Sequence, residues 1–512
     1  LFAIPFVAFI VSTNLFFPYI TGKNLMFRAL VDIALVLYVM LALRVPAYRP
    51  KINTIFIAFS TFLIVILAAD MFGVYPFKSF WSNFERMEGF VTHLHLFVYF
   101  VIMAAVFTGE KIWTRFFQVS LGASVIMGLI GTDQIAKGGG RIFAELGNSS
   151  YLGAYMMFNI FIAGFLLVRV VERKGANDVR WMVGLAYAAI ILFDFYILYN
   201  TGTRGALLGL GAGAFITCLA FAIWEKNKAL RMLGVAGLVA IVLAVGSLAA
   251  FKESNFVKSH DLLARFSQLA TFDKAGLEQL ATTQGKGRFG IWGIAYEGFK
   301  EKPLLGWGQD NFNYVFNKYY DPEMYDQEQW FDRAHNVFFD WLIAGGVLGL
   351  VAYLSLFVAT LVAIWRSRAD AKDLYFLFSD KVILTALLVA YFIHNLFVFD
   401  SLTSYLLFFG VLAFISIHDR KMIGVSALSK PIKEEKYVWA GSAIVLVAGI
   451  ASLYYFSLAP YAAGKSLIKA IAYQSYADTY NKPVGYEDAL AAFDAALSYD
   501  NVVGISVTRF RN

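Results

Sequence analysis

Apolar runs of roughly 17–25 residues recur along the chain, separated by short polar breaks, and runs of that length cross a bilayer as helices. They fall near 2–20, 25–43, 54–73, 90–107, 112–131, 150–168, 181–200, 203–224, 229–251, 336–364, 382–399, 402–417 and 438–459. The pattern predicts about thirteen spans, hence an all-α, polytopic membrane helix bundle. It divides the chain into a first bundle part (1–251), a large polar connection (252–335), a second bundle part (336–459) and a tail (460–512).

Basic residues then orient the spans. Every second connection is basic: Arg44, Arg49 and Lys51; Lys111 and Arg115; Arg169, Arg173, Lys174 and Arg180; Lys226, Lys228 and Arg231. The series continues with Arg366, Arg368, Lys372 and Lys381, then Arg420, Lys421, Lys430, Lys433 and Lys436. The alternate short connections carry few charges, so the positive-inside rule places the basic set in the cytoplasm. Both the 252–335 connection and the C-terminal tail are therefore expected outside.

Composition removes other solvents. Of 512 residues 59% are hydrophobic and only 15% charged, with mean hydropathy +0.63, more apolar surface than a soluble fold can bury. The lipid bilayer is the partner this implies, and no nucleic acid is expected. A single cysteine, Cys218, leaves no disulfide framework and no thiolate metal site. The chain opens on Leu1 in an apolar run, which reads as a first span or a cleaved signal, with the true N-terminus missing.

Two outer segments are more than connectors. Within 252–335, residues Arg288 to Lys300 place Phe289, Trp292, Ala295 and Phe299 at helical spacing, as an interfacial helix would. In the tail, Tyr486 to Leu497 carries Ala489 and Phe493 in the A-x3-F relation of a tetratricopeptide helix. One helix pair cannot make a solenoid, so this piece is expected to be truncated or packed on the bundle. An ordinary amphipathic helix is the competing reading.

Outer-facing candidates for chemistry follow. Arg204 lies in the shortest outer turn, between Gly202 and Gly205, where backbone can approach a large group and a helix start offers N–H donors to a phosphate. A snorkelling arginine is the alternative. Arg288 stands among glycines at a predicted helix N-terminus, where the macrodipole disfavours a bare cation and an anionic ligand offsets it. A plain surface charge beside an interfacial Trp292 is the alternative. His335 joins the large connection to an apolar helix, and imidazole is the side chain best poised to take a proton near neutral pH; capping the next helix is its simpler role.

His394 also precedes an asparagine, and His93 with His95 makes a poor metal pair. No His-Glu-x-x-His, Walker lysine loop or nucleotide fingerprint appears. Thr21 to Asn24 lacks the acidic pair with which a metal-dependent membrane glycosyltransferase would hold its cation. A bound diphosphate would then be neutralised by arginine forks, with no metal and no cofactor.

Several stretches taken together resemble the O-antigen ligase and Wzy polymerase superfamily. They are Thr201 to Ala206, Arg288-x3-Trp292, Lys302 to Gly308, Ala334-His335-Asn336, and Gly345 to Gly349. Phe143 to Gly153, following Arg141, resembles a further segment of ligase-like members, and the likeness runs over about residues 1–420. The resemblance implies a GT-C-like, metal-independent glycosyltransferase of the bacterial cytoplasmic membrane, with its active site outside. Its donor would be an undecaprenyl-diphosphate-linked glycan and its acceptor a glycan, lipid or protein hydroxyl. Position by position, Arg204 and Arg288 would hold the diphosphate and His335 would be the base; Arg141, Trp292 and Asn336 are weaker substrate contacts. Ligase, Wzy-type polymerase and protein O-oligosaccharyltransferase remain open. From another class, a transporter or flippase of a lipid-linked glycan would use acids within the spans such as Asp32, Asp194 and Asp340 as a relay.

Overall fold

The computed structural model describes residues 1–138, 140–172, 178–259, 263–264, 267, 286–325, 330–367, 375–419, 431–432, 434–480 and 484–499. Arg173, Lys174, Arg368, Lys372, Arg420, Lys421, Lys430 and Lys433 lie outside the described residues, as do 268–285 and 500–512. Among the described residues the regular structure is helical: α1 (Thr21–Arg44), α2 (Thr54–Met71), α3 (Pro76–Trp81), α4 (Phe90–Val106), α5 (Glu110–Ala136) and α6 (Ser149–Glu172) come first. Next are α7 (Asp178–Asn200), α8 (Arg204–Trp224), α9 (Lys228–Ala250), α10 (Asn255–Ser259), α11 (Lys286–Glu301) and α12 (Phe312–Lys318). Last come α13 (Val337–Arg366), α14 (Phe378–Asn395), α15 (Leu402–Ser416), α16 (Glu435–Leu453), α17 (Ala459–Tyr480) and α18 (Val484–Leu497).

Every apolar run from 25–43 onward falls on a helix, and among the described residues nine helices are long and apolar enough to cross a membrane. The first run does not. Residues 2–20 hold a 3₁₀ helix, Ile4–Phe9, and turns, with Ile4, Val7 and Ala8 buried in the main core. Pro5 and Pro18 lack the N–H groups a continuous helix needs, so burial here comes without helix length. The expected end of the last span near 459 also shifts, because α16 runs through a π turn, Tyr454–Leu458, straight into α17.

Helix α6 is the hub, with 78% of its apolar window buried, against 6% for α9. Close packing of α8 on α14 rests on a small-residue stripe. A Cβ at Gly205 would stand 3.3 Å from the His394 carbonyl, and one at Gly213 only 2.9 Å from that of Ala386. Only glycine lets the two backbones meet this closely, a common device where helices associate in lipid.

Helix α13 is broken at Gly346, which has φ +63°. The peptide groups freed there are taken up by the loop after α11: Trp307 N–H donates to the Ile343 carbonyl (2.7 Å), Gly308 N–H to Ala344 (3.0 Å) and Val347 N–H to Pro303 (2.8 Å). Gly306, at φ +67°, allows the approach, since a Cβ there would lie 2.7 Å from the Gly346 nitrogen. Inside a membrane such backbone must be satisfied by protein, and this loop does so.

Each of the acids that suggested a relay has one carboxylate oxygen held by a neighbour and the other buried without a partner among the described residues. Asp32 accepts from Ser452 (2.7 Å) and Asp194 from Ser124 (3.0 Å), while Asp340 accepts from the Ala334 N–H (2.7 Å).

Candidate active site

One end of the bundle gathers the start of α1, the 82–89 segment, the end of α5, the starts of α8, α13 and α15, and the end of α14. His335 lies there in a turn fixed on several sides. The Ala334 N–H is held by Asp340, and the Ala334 carbonyl accepts from Trp292 Nε1 of α11 at 3.1 Å. Asn336 caps α13, its Oδ1 accepting from the Phe338 N–H at 2.9 Å. Trp292 Nε1 and Asn336 Oδ1 thus shape the turn. His335 itself adopts φ +54°, an unusual conformation for a residue with a Cβ and one that sites tend to retain when the surroundings enforce it.

The imidazole packs beside Phe331 (5.7 Å between ring centres) and Phe399 (5.0 Å) and stays half-buried. Among the described residues no hydrogen bond to either ring nitrogen is present. Burial, with the positive charges of Arg288 and Arg86 adding, lowers its pKa to about 4, so the ring is neutral at pH 7 and able to accept a proton.

Arg288 has neither a carboxylate partner nor a hydrogen bond among the described residues. Arg288 is itself exposed, and partial desolvation, followed by the neighbouring Arg141, lowers its pKa. Arg141 donates to the Thr201 carbonyl (3.0 Å) and sits 3.4 Å from Thr203 Oγ1, folding over Gly202. The φ of +63° at Gly202 makes that turn, and Arg204 follows it as the first residue of α8. Arg288 therefore lies within electrostatic reach of both Arg141 and His335, and Arg204 adjoins the turn that Arg141 covers.

Sequence reasoning missed a second group. Arg86 forks onto Asp332, with Nε–Oδ2 at 2.6 Å and Nη2–Oδ1 at 2.8 Å, and lies over the Phe399 ring at 4.5 Å. Arg333 Nη2 is shared by Asp310 (2.5 Å) and Glu88 (3.1 Å). Burial alone would pull the Arg333 pKa down, but Asp310 and Glu88 hold it above its ordinary value. One guanidinium cannot neutralise both acids, and burial pushes the more distant Glu88 up to about 8. Adjacency of Asp332-Arg333 to His335 was the only hint; Arg86 and Glu88 come from 245 or more residues upstream of their partners and left no local signal.

A search of curated proteins finds no match. Residues 187–354 match a family model described as O-antigen ligase, a stretch that contains Arg204, Arg288 and His335 and ends just past the break in α13. The match covers about a third of the chain and supports membership of the O-antigen ligase and Wzy polymerase superfamily.

Proposed function

We propose that the protein transfers a glycan from an undecaprenyl-diphosphate donor to an acceptor hydroxyl at the outer face of the bacterial cytoplasmic membrane, without a metal ion. The observation that carries this reading is the His335 imidazole within electrostatic reach of Arg288, which in turn lies within reach of Arg141 and has no carboxylate partner among the described residues. Such a cluster is incomplete without an anion. A diphosphate bridging Arg288 and Arg141, with Arg204 at the start of α8, relieves the repulsion and brings its anomeric carbon towards His335.

The chemistry then balances as a single displacement. His335 takes the proton from the acceptor hydroxyl, whose oxygen forms the new bond to the anomeric carbon. The bond from that carbon to the diphosphate oxygen breaks, and the electron pair leaves with the diphosphate. Arginine forks aimed at the developing charge stabilise the leaving group in a partly dehydrated site, where such groups act most strongly. Attack from the face opposite the leaving group inverts the anomeric centre. Ligase, polymerase and protein O-oligosaccharyltransferase share these steps and differ in the acceptor.

The test is direct. Purified protein in proteoliposomes, supplied with lipid-diphosphate glycan and membrane extract as acceptor source, should release undecaprenyl diphosphate. His335→Ala and Arg288→Ala should each lower release ~10²–10⁴-fold. Full turnover in either variant overturns the assigned roles.

A further inference from the structure

A carboxylate stands close to His335 in the chain and is not bonded to it. Asp332 lies in the same turn, and its charge is felt at the imidazole, where it favours the protonated ring. Both of its oxygens are taken instead by Arg86, Oδ2 by Nε at 2.6 Å and Oδ1 by Nη2 at 2.8 Å. Burial alone would raise the Asp332 carboxyl, but the Arg86 fork outweighs burial and holds it below its ordinary value. The group is therefore a charged carboxylate at neutral pH, kept from the nearest imidazole by one arginine.

Arg86 is fixed from a second side as well. Its guanidinium lies 4.5 Å over the Phe399 ring, and that ring is 5.0 Å from the ring of His335. A planar guanidinium can fork a carboxylate and stack on an aromatic face at once, a combination that lysine lacks. One side chain from the 82–89 segment thus holds both the turn before His335 and a wall beside it. The other charges facing the imidazole are Arg288 from α11 and Arg333 from its own turn, and both disfavour the protonated ring. Asp400, next to Phe399, is occupied by Tyr391 and by Asn395 Nδ2 at 2.7 Å. The strongest pull towards a protonated ring accordingly comes from Asp332.

We propose that Arg86 is a positioning residue for His335: by occupying both oxygens of Asp332 it withholds that carboxylate from the imidazole and leaves a ring nitrogen open to an acceptor hydroxyl. Freed of Arg86, Asp332 would pair with the imidazolium and hold the proton on the ring. The consequence for catalysis rests on the transferase reading; the withholding does not.

Carbon NMR of the full chain in detergent, with ring-labelled histidine, follows the protonation of His335 without substrate, its resonance being the one lost in His335→Gln. The wild-type ring should stay neutral down to about pH 5. Arg86→Met should raise the midpoint by about 1–3 pH units, the effect of an opposite charge at close range. Arg86→Gln, which keeps one donor, should raise it too, a milder change should the first variant fold poorly. Arg86→Met/Asp332→Leu should lose most of the rise. A midpoint unchanged in the single variants, or a rise kept in full by the double variant, overturns the proposal. In the transfer assay the acid limb of kcat/KM should move up with the NMR midpoint, a shift that loosened packing alone would not produce. Wild-type protein that releases no lipid diphosphate sinks the transferase reading and leaves the titration standing.

Discussion

The Arg86–Asp332 fork offers the sharpest test of how the site is held. Both partners are almost fully enclosed, with side chains 15% and 8% exposed, and both hydrogen bonds are short. Asp332→Leu alone strands a buried guanidinium, a loss worth ~3–5 kcal/mol when one partner of a buried pair is removed. Glu85, 3.5 Å from Arg86 and more exposed, recovers part of this, so the lower end of that range is expected. Arg86→Met alone leaves Asp332 buried without its fork, although Arg333 supplies some compensation. The double variant removes both charges and fills the space with apolar atoms, which costs much less. The two single losses should therefore exceed the double loss by ~2–4 kcal/mol in equilibrium unfolding from mixed dodecyl maltoside and SDS micelles. Losses that add to within ~0.5 kcal/mol would refute the pairing.

Turnover should depend on pH through His335. Burial, aided by Arg288 and Arg86, puts its pKa at about 4, and only the neutral ring accepts a proton, so kcat/KM should fall as pH drops through about 4. A bound diphosphate favours the protonated ring, so the limb in kcat should lie at higher pH than that in kcat/KM; a kcat/KM limb centred on the ordinary 6.5 would contradict this environment. Gly209→Leu drives a side chain into the Ala390 carbonyl of α14 and should cost at least the ~1–3 kcal/mol of an overpacked core, whereas Gly211→Leu, facing open space, should melt like the wild type. Excess EDTA should leave glycan transfer unchanged, since arginine forks supply the positive charge; a loss restored by added Mg²⁺ would sink that account.

The long apolar helices were legible because lipid selects apolar residues on every helix face, so run length alone locates α1, α2, α6 and α13 among others. The same signal misled at 2–20, where hydropathy reports burial and says nothing of conformation; the prolines carried the correction. The Gly345-Gly346 pair and Lys302 to Gly308 stood out in the sequence, but their docking was invisible until two distant stretches were seen to exchange backbone hydrogen bonds. Arg204 and Arg288 were singled out by glycine neighbours and His335 by its position at a span end, while Arg141 came with the family resemblance. Arg86, Glu88 and Phe399 were not, because their surroundings are made by partners from other parts of the chain. The C-terminal helices show the same division. Ala489 and Phe493 are buried as their spacing suggested, yet the α17–α18 pair shares its core with Leu15, Phe84 and Met87, beside Arg86, a placement no periodicity encodes.

The seam between Pro303–Gly308 and the interrupted α13 fixes where this molecule is able to bend. Backbone amides interlocked across a helix break between two distant stretches leave unpaired polar groups when prised apart, so opening this seam is costlier than moving a surface connector. The downstream root of the large polar connection is thereby welded to the scaffold, and any movement of that connection over the site has to originate ahead of Lys302. Amide deuterium uptake at Trp307, Gly308 and Val347 should accordingly be among the slowest outside the helix centres.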